Sequence, residues 1–410
     1  MRTVQTKPLI YRSTKVTSTN TLNLIGYLLM FKQLPLLFPS RMSMNFINEH
    51  STITMDYLPF CRGILIGGLI GDCYGSLYEC KPTGKFNVPF DLLKRTIDGF
   101  DTKQLMYTDD TQMSLGIIRS LRTQHDFDAE HLAKEFAKNY FENGLFRGYG
   151  GTVGRIFSSF KNANYKDPYT YAANLFDGTG SYGNGGAMRI APAALYALRY
   201  SDREFEKLII DITRLTHTHP LAICGALIQA YAVQKIFTLF HDRLHLDRLN
   251  FIDSLLERLE KTEYAVDFKH ITWIQALDAY KEKFKLVKAL LADDKELSIT
   301  DVVDQLGNDL KAINSVPTAL YVFLRCLKPV PGIEFDSVPL RCIVLSIGLG
   351  GDTDTIGCMA TALASAYIGI PVDDNTIIPR NVITRCEGYS EIEEYASWLS
   401  NRLQQDIVSP

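Results

Sequence analysis

The chain has 410 residues, 43 Lys+Arg against 46 Asp+Glu, and 46% hydrophobic residues. That balance excludes direct nucleic-acid binding driven by broad positive charge, and the apolar share is enough for a large buried core. Eight cysteines without a C-x-x-C pair argue for free, buried thiols in a reducing compartment, not for a disulfide or zinc framework.

Residues 1–54 stand apart. Arg2, Lys7, Arg12, Lys15, Lys32 and Arg41 occur with no acidic residue before Glu49, among many Ser and Thr. This is the composition of a mitochondrial presequence. A disordered leader, or a true start at Met42, Met44 or Met55, reads the same residues as well. The apolar run over 22–38 is broken by Asn23, Lys32, Gln33 and Pro35, so no membrane span is expected. From Tyr57 onward, apolar residues recur at three and four residue intervals through 112–122, 129–142, 204–215, 221–240, 250–260, 273–291 and 355–368. Thr300 is placed to cap a helix from Asp301 that Gly307 ends. Pro317 suits the first turn of a helix through Ala319 to Cys326, with Val316 extended before it. Hairpin signals and fixed-period repeats are lacking. The expectation is an all-α fold, one large helical domain over residues 55–405.

Three short segments carry the chemistry. The first runs Gly67-Gly68-Leu69-Ile70-Gly71-Asp72-Cys73-Tyr74-Gly75-Ser76-Leu77-Tyr78-Glu79. Glycines every fourth residue give a helix a side on which another backbone can come close, and Asp72 and Glu79 fall on nearly one face. The others are Tyr107-Thr108-Asp109-Asp110-Thr111 and Gly350-Gly351-Asp352-Thr353-Asp354-Thr355, each just before a helix. One Asp or Thr there is a routine N-cap, but two acids in each exceed what capping needs. Asp352 and Asp354 would point about 200° apart in a regular helix, so facing one ion requires an irregular entry, which the double glycine permits. Carboxylates and hydroxyls without convergent His or Cys suit Mg²⁺. If the two clusters share a site, four carboxylates repel unless cations join them, and a pair of ions is the natural remedy.

Two glycine-rich loops suit an anionic ligand. One spans Arg147-Gly148-Tyr149-Gly150-Gly151-Thr152-Val153-Gly154-Arg155; the other spans Gly180-Ser181-Tyr182-Gly183-Asn184-Gly185-Gly186-Ala187-Met188-Arg189, leading into a helical pattern from Ala187. Glycines expose backbone N–H groups to phosphate oxygens. Neither is a Rossmann fingerprint or a P-loop. Tyr149 and Tyr182 offer flat surfaces for a base or ribose. His217 and His219 lack the H-E-x-x-H frame, which excludes a zinc protease, and the serines are not in a nucleophile elbow.

Taken together, Gly71-Asp72-x-x-Gly75-x-x-x-Glu79, Thr108-Asp109-Asp110-Thr111, Gly183-Asn184-Gly185-Gly186-Ala187-Met188-Arg189 and Gly350-Gly351-Asp352-Thr353-Asp354-Thr355 resemble, in order, the motifs of the ADP-ribosylglycohydrolases. The stretches Arg147-Gly148-Tyr149-Gly150, Ser315-Val316-Pro317-Thr318-Ala319-Leu320-Tyr321 and Phe323-Leu324-Arg325-Cys326-Leu327 are similar to the branch that frees ADP-ribose from serine and degrades poly(ADP-ribose). The resemblance implies an all-α fold with a binuclear Mg²⁺ site held by Thr108, Asp109, Asp110, Asp352, Asp354 and Thr355. It implies Glu79 as the mobile acid beside the scissile bond, with Glu79 or Asp352 as general base. It implies that Gly148, Gly150, Gly180, Ser181, Tyr182, Gly183, Asn184 and His217 hold the diphosphate and distal ribose, with Phe176 stacked near the ligand. Expected partners are ADP-ribosylated proteins, poly(ADP-ribose) and ADP-ribose, met by a monomer in the mitochondrial matrix, nucleus or cytoplasm. An arginine-specific relative, a non-catalytic crystallin-like member and a metal phosphohydrolase remain open as alternatives.

Overall fold

A computed structural model of the chain describes residues 55–79, 89–99, 103–142, 147–262, 273–292 and 298–408. The expectation of a presequence falls on residues outside these. The periodic segments are helices: Asp109–Gln124, Ala129–Glu142, Asp202–Arg214, Pro220–His241, Arg248–Glu260, Trp273–Ala292 and Thr353–Ile368. Periodicity passed over Val153–Asn162, Val338–Leu349 and Tyr389–Val408, which are helices too. Among the described residues there is no strand, only isolated bridges such as Gly183 with Lys311 and Leu105 with Cys386. The architecture is all-α.

Pro220–His241 runs through the centre. It is apolar on nearly every side, as a helix surrounded by other helices must be. Its length and composition would also suit a membrane, but most of it is buried inside the protein. Pro220 fills the first position, where no N–H is needed, and His219 Nδ1 accepts the Leu221 N–H at 3.1 Å. The seven described cysteines are buried and form no disulfide.

Two local expectations are corrected. The helix Ile299–Leu306 is capped by Ser298, whose hydroxyl accepts the Asp301 N–H at 3.1 Å, and not by Thr300. Gly307 does end it, with φ +81°. Pro317 lies inside the helix Ala312–Cys326, and Val316 is helical there. A tertiary contact, Ala312 N donating to Tyr182 O at 3.1 Å, and a local one, the Ser315 hydroxyl donating to Lys311 O at 3.1 Å, draw the helix start upstream. The missing Pro317 N–H is tolerated because the rest of the helix is buried.

The helix Leu58–Gly75 is set against Thr353–Ile368 along a seam of glycines. A β-carbon on Gly63 would lie 2.5 Å from Ser365 O, and one on Gly67 would lie 2.5 Å from Thr361 O. One on Gly71 would overlap the Gly357 carbonyl, and one on Gly75 the backbone of Asp354. Four glycines at every fourth residue thus touch the partner backbone directly, in antiparallel order. Each costs up to about 1 kcal/mol of intrinsic helix stability against alanine. Close backbone contact and the dispersion it brings offset that. At the end of the seam the Thr353 hydroxyl donates to Gly75 O at 2.8 Å, which sets the acidic turn of one helix against the end of the other.

The seam makes a sharp prediction. Gly71→Val should cost more than the 1–3 kcal/mol usual for overpacking, because the obstructing atom is backbone. Gly68, whose β-carbon would sit 3.6 Å from Cys358 Sγ, should accept alanine with a change within about 1 kcal/mol. Equilibrium urea denaturation reads both, and equal effects at the two positions would contradict the seam.

Candidate metal centre

Asp72 is fully buried one turn before the end of the glycine helix. Its carboxylate accepts the backbone N–H of Thr108 at 3.0 Å, the Thr108 hydroxyl at 2.8 Å and the Thr111 N–H at 3.0 Å. These bonds fold residues 108–111 over the end of that helix. Thr108 is the N-cap of Asp109–Gln124, its oxygen facing the Asp110 N–H at 3.4 Å. Capping therefore falls to Thr108, and the two acids are not spent on it.

The second turn enters its helix irregularly, as the double glycine allows. Gly350 and Gly351 have φ of +69° and +74°, and Asp352 follows with φ −84° and ψ 67°. Asn308 backs this turn: its carbonyl accepts Asp352 N at 2.8 Å and its amide donates to Leu349 O at 2.9 Å. Asp352 makes no capping bond. Its Oδ2 instead accepts the Asn184 amide at 2.5 Å, and the same amide nitrogen reaches the Ser315 hydroxyl at 3.0 Å.

The two turns meet. Oxygens of Asp72, Asp110 and Asp354 lie within 4.8 Å of one another, and so do those of Glu79, Asp352 and Asp354. Thr355 Oγ1 stands 3.4 Å from Asp110 Oδ2, joining the first turn to the second. Asp109 is half-buried beside them, its N–H donating to Arg147 O at 2.7 Å. Glu79 reaches the group from the turn after Gly75 and not from the helix, so the expected shared helical face with Asp72 is corrected. The chain needs that break, because the helix ends where Gly75 abuts Asp354.

Hard divalent cations fit this donor set. All the converging groups are carboxylate or hydroxyl oxygens. Protein donors are too few for them: the single Thr108 proton stands 2.8 Å from Asp72 and 3.0 Å from Asp110, and Asp110 Oδ1 is buried with no partner. Asp72 is different, since both its oxygens are already held by N–H or O–H groups. Its role is to shape the turn. Desolvation first, then neighbouring carboxylates, push Asp109, Asp110 and Asp354 well above the usual carboxylate range. Asp352, also desolvated but helped by its hydrogen bonds, is pushed up to about 6.

Two residues that sequence reading missed brace the first turn. Arg147 donates to Tyr107 O at 2.7 Å and to both oxygens of Glu387, at 2.6 and 2.9 Å, while stacking on the Tyr107 ring. A bidentate arginine among hundreds of residues has no local signature, and Glu387 is distant in sequence. Next to it Gly148, at φ +79°, leaves the flank of Asp109 open, where a β-carbon would stand 3.5 Å from Oδ1. Gly150 turns the chain into the helix Val153–Asn162 and has no described contact with the acids. Tyr149 is not a free stacking surface. Its ring packs edge-on against Tyr140 and Phe157, and its hydroxyl donates to Gln112 at 2.6 Å.

The second loop lies on the Asp352 side. Asn184 connects it to that acid directly. His217 packs under it: a β-carbon on Gly183 would be 3.3 Å from His217 Nε2, and one on Gly185 would be 2.5 Å from Cε1. Burial first, then the Arg189 guanidinium, push His217 down to about 3. Gly180, at φ +74°, fits against Thr218, and Ser181 Oγ accepts Gly183 N at 3.3 Å. Tyr182 and Phe176 project outward, 48% and 54% exposed. Phe176 and Asp177 are both left-handed, a strain of roughly 1–3 kcal/mol each. No described bond links Phe176 to the acids. The helix after the loop starts at Gly185, not Ala187, and is a single turn to Met188, too short for much dipole.

The carboxyls bind protons more readily folded than unfolded, so the stability they contribute is present at low pH. It is lost as pH rises through about 6 for Asp352, and the same direction of shift holds for Asp109, Asp110 and Asp354. A cation takes the ionised set and reverses the loss. The rise in melting temperature on adding Mg²⁺ should therefore grow between about pH 5 and about pH 8, and shrink in Asp110→Asn. A rise that ignores pH would contradict the assignment.

Comparison with known proteins places this arrangement. A model of the family ADP-ribosylglycohydrolase matches residues 54–407. The chain is 36% identical over 346 residues to an ADP-ribosylhydrolase ARH3 of Xenopus tropicalis, covering 82% of this chain and 94% of that one. It is 35% identical over 361 residues to ADP-ribosylhydrolase ARH3 of Homo sapiens, covering 84% and 93%. A solved chain titled ADP-ribosylglycohydrolase-related protein complex superimposes with a TM-score of 0.56 at 20% identity, covering 84% of this chain and 98% of its own, and shares the fold. A match that spans every segment of the metal centre settles the membership: the chain belongs to the ADP-ribosylglycohydrolase family.

Proposed function

We propose that the chain hydrolyses the O-glycosidic bond between ADP-ribose and serine on proteins. Related linkages, in poly(ADP-ribose) and O-acetyl-ADP-ribose, are opened at the same site, and free ADP-ribose is the product. The observation that carries this reading is the meeting of the two Thr/Asp turns through Asp110 and Asp354, with Glu79 beside Asp352 and Asp354 and Asp110 Oδ1 without a hydrogen-bond partner among the described residues. Similarity to ARH3 proteins over more than four-fifths of the chain supports the substrate class.

Thr108, Asp109, Asp110, Asp352, Asp354 and Thr355 are the residues to hold two Mg²⁺ ions, which when bound supply Lewis acidity and a template for ribose hydroxyls. Glu79 is half-buried at the end of the group, within 4.8 Å of Asp352 and Asp354 oxygens. From there its carboxylate, or that of Asp352, takes a proton from the attacking water as the C1″–O bond opens. The hydroxyl joins C1″, and the proton passes to the departing serine oxygen. Asn184 keeps Asp352 Oδ2 engaged and so fixes the rotamer of that acid. Gly148, Gly180, Ser181, Tyr182, Gly183 and His217 shape the seat of the diphosphate and distal ribose, and the outward ring of Phe176 is placed to stack on the ligand. The basic leader supports delivery to the mitochondrial matrix, and its removal or a downstream start leaves the nucleus and cytoplasm. The chain is proposed to act as a monomer.

Glu79→Gln and Asp352→Asn should each lower kcat on a mono-ADP-ribosylserine peptide by about 10²–10⁴-fold, the range for loss of general-base help. Free ADP-ribose measured by mass is the readout, with chelation abolishing turnover and Mg²⁺ restoring it. Both variants near wild-type rate would remove these acids from the chemistry. Faster release from an arginine-linked peptide would instead make the chain an arginine-specific hydrolase.

A further inference from the structure

Arg189 is a guanidinium with no exposed surface. Among the described residues it makes no ion pair. Its Nη2 donates to Thr216 Oγ1 at 2.7 Å and to Ile212 O at 3.2 Å, its Nη1 approaches Met113 Sδ at 3.6 Å, and its plane lies over the Phe136 ring. An arginine has donors only and stays charged even when burial opposes it. Thr216 Oγ1 is therefore the acceptor in that contact. The same hydroxyl stands 2.7 Å from His217 Nδ1.

A threonine hydroxyl has one proton. Arg189 and His217 are the partners of Thr216 Oγ1 among the described residues. Were Nδ1 protonated, Thr216 would face two donors, and its own proton would be buried without an acceptor, at a cost of about 1–3 kcal/mol. Donation from Thr216 to Nδ1 satisfies the hydroxyl and the two atoms that face it, Arg189 Nη2 and His217 Nδ1. We infer that Thr216, polarised by the buried Arg189, is a positioning residue that fixes His217 as the tautomer with its proton on Nε2, a hydrogen-bond donor facing the Gly183–Gly185 loop. A second positive charge beside Arg189 is disfavoured for the same reason that burial is, so the ring stays neutral. His217 then serves as a fixed donor and not as an acid or base. The inference rests on the reading that His217 faces the ligand, but its first test does not.

That test is a nitrogen-15 spectrum of histidine-labelled full-length protein without ligand, with the His217 signals assigned by their loss in His217→Asn. Wild type should show an unprotonated Nδ1 and a protonated Nε2; the reverse pattern would overturn the inference outright. In Thr216→Val the signals should move toward a mixture of tautomers, and ADP-ribose should bind roughly three- to tenfold more weakly, the worth of one net hydrogen bond. Thr216→Ser should restore both, which a purely packing role for the side chain would not require. A Thr216→Val spectrum and affinity like wild type would also overturn it. If wild type binds no ADP-ribose, the proposed function fails, and the unliganded spectrum still decides the tautomer.

Discussion

Backbone contact between two helices underlies the rest of this structure. Gly63, Gly67, Gly71 and Gly75 carry no β-carbon because Thr353–Ile368 occupies that space. The two helices are thereby held closer than side chains would allow, with little freedom to slide. Where they end, Asp72 of the first helix stands beside Asp354 of the second, and Glu79, in the turn that follows the first helix, stands beside Asp352 and Asp354. The acidic cluster is thus a by-product of packing geometry: the acids have no attraction for one another, and only a rigid seam can keep them together.

Electrostatics works against the fold here. Desolvation and mutual repulsion raise the proton affinity of Asp109, Asp110 and Asp354, so the protein without cations holds its centre at a loss. Donors placed around the rim limit that loss. Asp72 is saturated by the Thr108–Thr111 backbone, Asp352 takes the Asn184 amide, and Arg147 ties the first turn to Glu387. What remains unsatisfied, Asp110 Oδ1 above all, points to where a cation is needed.

The glycine loops present a different kind of surface from the acids, the one to which the proposed function assigns the diphosphate and distal ribose. The glycine loops are small-residue linings over a buried polar layer, in which His217, Thr216 and Arg189 follow one another. Tyr182, in the second loop, and Phe176, just before it, expose their rings. Rigid acids on one side and a plainer, strained loop on the other match a task in which one end of the substrate reacts and the other is only held.

The sequence by itself determined the all-α class, the main helices and the three chemical segments, because these are written in local periods and in residue types. The glycine spacing announced a close helix neighbour, and two acids in each turn announced more than capping. It did not reveal which helix was the neighbour, nor that Asp72 would shape a turn while Asp110 would be left open. Tyr149 was misread because its partners, Tyr140 and Phe157, sit on other elements. Pro317 and Thr300 were misplaced because helix starts answered to Tyr182 and Ser298. Arg147 and Arg189 were read only as ends of the glycine loops, and their partners Glu387 and Thr216 were not singled out, because a hydrogen bond across the fold depends on coordinates that local pattern does not encode.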